Sequence, residues 1–478
     1  MTATPHPSNS APPSRTDNRA DSRPVVTEIR SLWRLSWPIL IGQLATVGMS
    51  VTDVAMAGHA SAADLAGASL GVSVFNITIV TTMGLVMSIN PLVAHHVGAR
   101  NLQAVPHVVR QGLWKALMVG VLAMLLMNLA AQVFDYMALD PDVRTVAKGF
   151  VHITSAGMPA FSCYRVLYGY STSINQTKPM MVIALLALLL NVLVNWLLVF
   201  GNGGFAAQGG LGCAWSTLVC ICFSPLALLW WMRSSRAYRR TWPFGHWEGP
   251  DLPMLKSLFR LGIPIGITYF AETSAFGLIA LLVARFGSTQ VAAHAIALNF
   301  SSLTFMVPLS MGLGLLTRVG QSLGAGDPVQ ARFRCWVGVG MALVIALASA
   351  LLMAVFRLEI ASAYTNDAAV AALASSLLVF AALFQVSDAA QVVTSCAIRG
   401  YKVTRAPMVL HLTAFWGVSL PLGCLLGLAP QWMPLAPAAP MASKGFWIAL
   451  IVGLCVAATG LLLMLRSVAR RRIAQAAT

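Results

Sequence analysis

Apolar positions in this chain form long, nearly unbroken runs separated by short polar stretches, unlike the alternating or amphipathic patterns of soluble domains. Runs of helical length fall at 32–57, 65–97, 112–134, 148–170, 179–200, 210–232, 258–284, 291–323, 336–357, 371–398, 407–429 and 445–465. A helix needs about 20 apolar residues to cross the hydrocarbon core. The pattern therefore predicts an all-α polytopic membrane protein with twelve transmembrane helices. The longest polar interruption, around Arg233–Lys256, divides the crossings into two sets of six. The expected organisation is a disordered cytoplasmic tail at 1–31, an N-terminal six-helix lobe at 32–232, and a cytoplasmic inter-lobe loop at 233–257. A C-terminal six-helix lobe at 258–465 and a basic cytoplasmic tail at 466–478 follow.

The halves repeat weakly. Leu32-Trp-Arg-Leu-Ser-Trp-Pro38 matches Leu258-Phe-Arg-Leu-Gly-Ile-Pro264 at an offset of 226, and Val97-Gly-Ala-Arg-Asn101 matches Leu323-Gly-Ala-Gly-Asp327 at the same offset. Thr177-Lys-Pro-Met-Met181 matches Arg405-Ala-Pro-Met-Val409 at an offset of 228. Each half has an even number of crossings, so both copies enter the membrane from one side. They should be parallel repeats about an axis near the membrane normal, with a cleft between two bundles.

Composition agrees with the pattern: 58% of residues are hydrophobic and 10% charged, against roughly 25% charged in a soluble domain. The formal charge of +16 would raise nucleic acid as a partner, but position removes that reading. With the N-terminus cytoplasmic, twenty-four of the 31 Lys and Arg fall in inside loops and tails, five outside and two near segment ends. That bias is the positive-inside rule, and it places both termini in the cytoplasm with no nucleic acid partner. No apolar run precedes residue 32, so no signal peptide is expected ahead of the first crossing. The eight cysteines lie in or beside apolar segments without metal-ligand spacing and read as small core residues.

The chemistry sits in the few polar residues at membrane depth. Twelve of fifteen carboxylates fall in tails, loops or segment ends; Asp53, Glu272 and Asp388 lie inside apolar runs. A carboxylate there costs roughly 2.5–3.5 kcal/mol on insertion scales, so such groups usually face a water-filled cavity or an ion path. No Lys or Arg lies within one helical turn of Asp53 or Glu272. Each should therefore carry a proton or bind a cation, unless it serves as a hydrogen-bond partner between helices. Asn191 and Asn195, four apart, share a helix face and could offer two amide oxygens to one cation, or bond between helices. Gln43, Asn299, Gln385 and Gln391 are further polar positions in apolar runs. Gly67-Ala-Ser-Leu-Gly71 fits a nucleophile-elbow pattern but lacks the strand that motif requires. No phosphate-binding GxxxxGK[ST] loop occurs, which argues against ATP-driven transport within the chain.

Several phrases resemble the multidrug and toxic compound extrusion transporters, in particular their NorM branch. They are Val51-Thr-Asp-Val-Ala-Met-Ala-Gly58, Thr177-Lys-Pro179 leading to Asn191-Val-Leu-Val-Asn195, Arg318-Val-Gly-Gln-Ser-Leu-Gly-Ala-Gly326, Phe384-Gln-Val-Ser-Asp388 with Arg399-Gly-Tyr-Lys402, and Gly445-Phe-Trp447. The resemblance runs from about Leu32 to Leu465. It implies two six-helix lobes around a V-shaped cleft, residence in a bacterial inner membrane, a monomer, and export of cationic amphipathic drugs and dyes in exchange for Na⁺ or H⁺. By motif, Glu272 and Asp388 look like the coupling-ion carboxylates, able to hold Na⁺. Asp53, Asn191 and Asn195 look like the acidic and amide cluster of the N-terminal lobe. Apart from that cluster, Gln43, Phe384 and Asn299 are candidate supporting positions. Phe384 departs from the pattern: Na⁺-coupled relatives have a Tyr there, so an oxygen ligand is missing and H⁺ stays open. Rival readings are a flippase for a lipid-linked substrate of the same superfamily, an intramembrane enzyme and a channel. Acidic rather than basic charges at depth argue for a cationic cargo.

Overall fold

The computed structural model describes residues 24–246, 248–429, 437 and 439–477. Its α-helices are α1 (Pro24–Ala60), α2 (Ala62–Val86), α3 (Ile89–Gly98), α4 (Ala104–Ala131), α5 (Pro141–Ser155), α6 (Met158–Ser173), α7 (Lys178–Phe200) and α8 (Gly210–Ser234) in the first half. The second half holds α9 (Leu252–Val283), α10 (Ser288–Gly324), α11 (Pro328–Val355), α12 (Arg357–Tyr364), α13 (Ala368–Gly400), α14 (Arg405–Leu412), α15 (Leu420–Leu428) and α16 (Ala442–Ala477). A π-helical stretch, Thr413–Ser419, joins α14 to α15.

The breaks have local causes. Pro91 has no N–H to offer the carbonyl of Met87, and α2 stops where α3 begins. Pro421 likewise cannot close a bond to Gly417, and the backbone widens into the π turn before it. Among the described residues, eleven helices or end-to-end helix pairs are long and apolar enough to cross a membrane. The twelfth expected segment, 148–170, is not one helix: it straddles α5 and α6, broken at Ala156–Gly157 just ahead of Pro159. The last eight residues of the expected tail at 1–31 are helical instead. Helix α1 begins at Pro24, and residues 1–23 lie outside the described residues.

Among the described residues, the cores and hydrogen bonds that the two lobes share lie toward the end that carries residue 24, the inter-lobe loop and most of the basic residues, the basic end. Toward the opposite end each lobe has its own core: Phe75, Met127, Phe150 and Cys213 in the first half, Ile279, Leu377, Phe415 and Trp447 in the second. Toward the basic end the cores are shared. Leu258 packs into the N-terminal core, Leu32 into the C-terminal core, and Ile39, Met87, Ile265 and Leu313 form a plug between lobes. Among the described residues, the hydrogen bonds and ion pairs joining the lobes lie at or below this plug. A cleft thus opens between the lobes toward the opposite end.

The joint is built from the repeat. A Cβ on Gly98 would run into the backbone of Gln321, and one on Gly324 into the backbone of His95. Both pairs are related by the offset of 226, so α3 and α10 cross about a pseudo-two-fold axis with the same contact made twice. Beside this crossing, His95 Nε2 lies 2.9 Å from the Gly400 carbonyl, while Gln321 Nε2 donates to the Ser173 carbonyl at 2.9 Å. The turns after α3 and α10 also match, with left-handed residues at Arg100 (φ 56°) and Gly326 (φ 77°). Buried Glu28 on α1 accepts from Arg318 Nε at 2.5 Å and Nη2 at 2.6 Å, with Arg334 Nε at 3.4 Å. Lys115 Nζ donates to the carbonyls of Leu85 and Leu258 and to Ser88 Oγ at 2.6–2.8 Å, tying the α2–α3 break to α9.

The inter-lobe loop is clamped to α4. Glu248 accepts from Arg110 Nη2 at 2.5 Å, with His107 and His246 each at 2.8 Å. The Arg110 hydrogen bond, opposed by partial burial and helped by both histidines, holds the Glu248 carboxyl down at about 2. A carboxylate whose folded value is depressed stabilises the clamp above its unfolded value, near 4.5, and loses that contribution as pH falls toward 2. Pepsin cleavage of the loop should therefore accelerate between pH 4.5 and 2 in the native chain. In Glu248→Gln the loop should be cut readily across that window, with no such pH step. A Gly98→Val variant should open the basic end, costing about 1–3 kcal/mol by overpacking. The check is faster maleimide labelling of a cysteine placed at buried Ser322, with Gly324→Val giving the same result if the crossing is symmetric.

Candidate functional site: two separate carboxylate centres at the cleft

The first centre lies in the N-terminal lobe, in the half toward the opposite end. Asp53 sits about two turns before the end of α1, where α1 packs on α7 and α8. Its Oδ1 accepts from Asn191 Nδ2 at 2.9 Å and Asn195 Nδ2 at 2.7 Å, and its Oδ2 from Thr217 Oγ1 at 3.0 Å. Asn191 also donates to Ser216 Oγ at 3.1 Å. The expected cluster is therefore assembled, but its polarity differs from a pair of amide oxygens around a cation. The amide nitrogens face the carboxylate, and four-residue spacing on α7 lets both reach one oxygen. Asn195 Oδ1 is buried without a hydrogen-bond partner among the described residues.

The second centre lies in the C-terminal lobe. Glu272 is half-buried on α9 and Asp388 is buried on α13, within electrostatic range of each other. Neither forms a salt bridge among the described residues, although the Arg399 charge reaches Glu272 through space. Buried Arg399 donates to Tyr269 Oη at 3.1 Å and stacks its guanidinium over that ring, 5.0 Å from the centroid. Tyr269 lies one turn before Glu272. From the π-helical stretch, Trp416 Nε1 donates to the Ala271 carbonyl at 3.1 Å, fixing α9 immediately before Glu272. One turn beyond Asp388, Gln391 Nε2 lies 2.6 Å from His411 Nε2, whose Nδ1 meets the Pro407 carbonyl at 2.7 Å.

The supporting positions divide. Phe384 stands one turn from Asp388, with its ring packed edge-on against Trp447 at 5.6 Å and Phe276 at 6.1 Å. It contributes an apolar wall and no oxygen. Gln43 is half-buried on α1, about 15 Å along the helix from Asp53, outside the cluster. Asn299 is exposed and its Oδ1 accepts from Tyr364 Oη at 3.0 Å, which ties α10 to α12.

Sequence reasoning missed Ser216 and Thr217, because hydroxyls in apolar helices are common and carry no signal alone. It also missed Tyr269, Trp416 and His411, whose roles depend on helices brought together from distant segments. Arg399 was legible only as part of a phrase.

Two six-crossing lobes, related by a parallel pseudo-two-fold axis and sealed at one end beneath intramembrane carboxylates, define a two-lobed polytopic α-helical membrane protein. The chain belongs to the MatE family: its model matches residues 38–197 and 264–425, the two repeats in turn. The chain is 40% identical over 457 residues to the probable multidrug resistance protein NorM of Chromobacterium violaceum, covering 95% of this chain and 97% of that one. It is 41% identical over 449 residues to the multidrug resistance protein PmpM of Pseudomonas aeruginosa, covering 94% and 93%. Among solved structures, the eukaryotic MATE transporter AtDTX14 superposes with a TM-score of 0.83 at 20% identity, covering 95% of this chain and 99% of that chain. An outward-facing multidrug resistance MATE transporter gives 0.83 at 19% identity, covering 93% and 96%.

Asp53→Ala should strand three donors, Asn191, Asn195 and Thr217, each costing about 1–3 kcal/mol. Asp53→Asn keeps an acceptor for the two amides and a donor for Thr217 Oγ1, so its loss should be much smaller. Thermal unfolding in detergent distinguishes them, and equal loss in both would mean that charge, rather than the hydrogen-bond set, holds the cluster.

Proposed function

We propose that this chain is a secondary active antiporter that exports cationic amphipathic drugs and dyes in exchange for Na⁺ or H⁺. It works as a monomer, resides in a bacterial inner membrane and carries out no covalent chemistry. The names of its relatives support the drug class. The excess of Lys and Arg at the basic end supports a cytoplasmic placement of that end, and the cleft then opens outward.

The observation that carries the reading is the pair Glu272 and Asp388, set above the lobe joint without a salt-bridge partner among the described residues. A carboxylate pair at this depth exchanges one positive ligand for another at little electrostatic cost, whereas holding neither is expensive. A coupling ion bound from outside neutralises the pair and displaces a cationic cargo; release of the ion inward restores the charge that attracts the next one. Helix α9 connects these events to the lobes. It carries Glu272 on the cleft side and, two turns below, Ile265 in the plug between lobes. An ion that binds the two lobe arrangements unequally shifts their populations by its difference in affinity, and the cargo does the reverse. Asp53, with its donors satisfied, holds the wall of the N-terminal lobe and adds negative potential to the cleft.

The test is ethidium movement in proteoliposomes under an imposed Na⁺ gradient or an imposed pH gradient. The native chain should move dye under one of them. Glu272→Gln and Asp388→Asn should each lower the gradient-driven rate by about tenfold or more, equivalent to at least about 1.4 kcal/mol. Unchanged coupling in Glu272→Gln would end this mechanism. Folded protein that moves no dye under either gradient, yet flips an anionic lipid-linked sugar, would favour the flippase.

A further inference from the structure

At the basic end, α11 and α16 lean together over a cavity of about 240 Å³ lined by Arg332, Trp336, Arg466 and Arg470. Arg332 and Trp336 are one turn apart on α11, and Arg466 and Arg470 one turn apart on α16, so two helix faces present three guanidinium groups to one space. A neighbouring shallow cleft adds Ser467 and Arg471 to the rim. None of these arginines forms a salt bridge among the described residues. Clustered like charges without carboxylate partners repel, and an anion of two or more oxygens satisfies several guanidinium forks at once.

A second observation fixes what the anion is attached to. Away from the basic end the same faces become apolar and exposed: Leu347 and Leu351 on α11, and Leu463, Val456 and Val452 on α16. Trp336, 41% exposed, stands between the arginines and this strip, at the depth where an indole favours the boundary of headgroup and hydrocarbon. A phosphate held by the arginines would thus have hydrocarbon-covered surface directly beneath it, as an acyl chain requires.

We propose that the groove between α11 and α16 is a binding site for an anionic phospholipid, with Arg332, Arg466 and Arg470 holding the headgroup phosphate and Trp336 packing at the glycerol level. The inference is independent of the antiport reading, since it requires only that the chain sits in a bilayer. Its consequence is to brace α11 against α16 at the rim of the C-terminal lobe.

The test uses the delipidated full chain in detergent, titrated with phosphatidylglycerol or phosphatidylcholine and read by native mass spectrometry, with inorganic phosphate as a separate arm. The native chain should retain phosphatidylglycerol in preference to phosphatidylcholine. Affinity should fall about fivefold for each arginine changed to glutamine at 332, 466 and 470. Arg239→Gln with Arg240→Gln, on the exposed inter-lobe loop, should leave retention unchanged. The single variant Arg466→Gln tests the direction in case the triple variant elutes as aggregate. Equal retention of both lipids, or retention in Arg466→Gln matching the native chain, would overturn the proposal. So would inorganic phosphate that competes as well as the lipid, because the site would then take a free anion.

Discussion

The crossing of α3 and α10 is the contact on which the remaining geometry depends. Two backbones can approach this closely only where neither has a side chain in the way, and Gly98 and Gly324 supply that clearance at equivalent places in the two repeats. Lipid tails are as apolar as the lobes, so no hydrophobic force pushes the lobes together within the hydrocarbon. Close packing, the Glu28–Arg318 pair and the Lys115 bonds hold the joint instead. Because these are concentrated at the basic end, the opposite halves keep separate cores.

The two carboxylate centres solve the problem of charge in the membrane differently. Asp53 is surrounded by three donors from two other helices, which makes it costly to remove and well suited to a structural wall. Among the described residues, Glu272 and Asp388 lack such a shell; nearby polar groups such as Arg399, Tyr269, Gln391 and His411 bond mostly to one another or to backbone. A pair left in this condition is suited to binding and releasing a cation, since its environment is completed only by something that comes and goes. The carboxylates also break the symmetry of the fold. At the offset of 226, Asp53 corresponds to Ile279 and Glu272 to Thr46, so the scaffold is repeated and the chemistry is not.

Much of this was readable in one dimension. Run length gave the crossings, the Arg233–Lys256 interruption gave the lobes, and the matched phrases around Gly98 and Gly324 gave parallel repeats. The segment at 148–170 misled because summed hydropathy is insensitive to a break that Gly157 and Pro159 impose on the backbone. The spacing of Asn191 and Asn195 puts both on one helix face, yet which end of each amide meets Asp53 depends on the facing helix. Asn299, a supporting candidate by its place in an apolar run, makes a contact with α12.

By itself, the sequence determined that this chain crosses a bilayer about a dozen times in two equivalent halves, because burying apolar residues in lipid is a property of each segment alone. It also singled out Asp53, Glu272 and Asp388, since a carboxylate inside an apolar run is conspicuous wherever the helix goes. Only the tertiary structure decided which end of the lobes is sealed, that Asp53 is satisfied while Glu272 and Asp388 lack a matching shell of donors among the described residues, and that three arginines from α11 and α16 share one cavity. Those outcomes depend on contacts between residues a hundred or more positions apart, and hydrogen bonds and charges act over a few ångströms of space, whatever their separation along the chain.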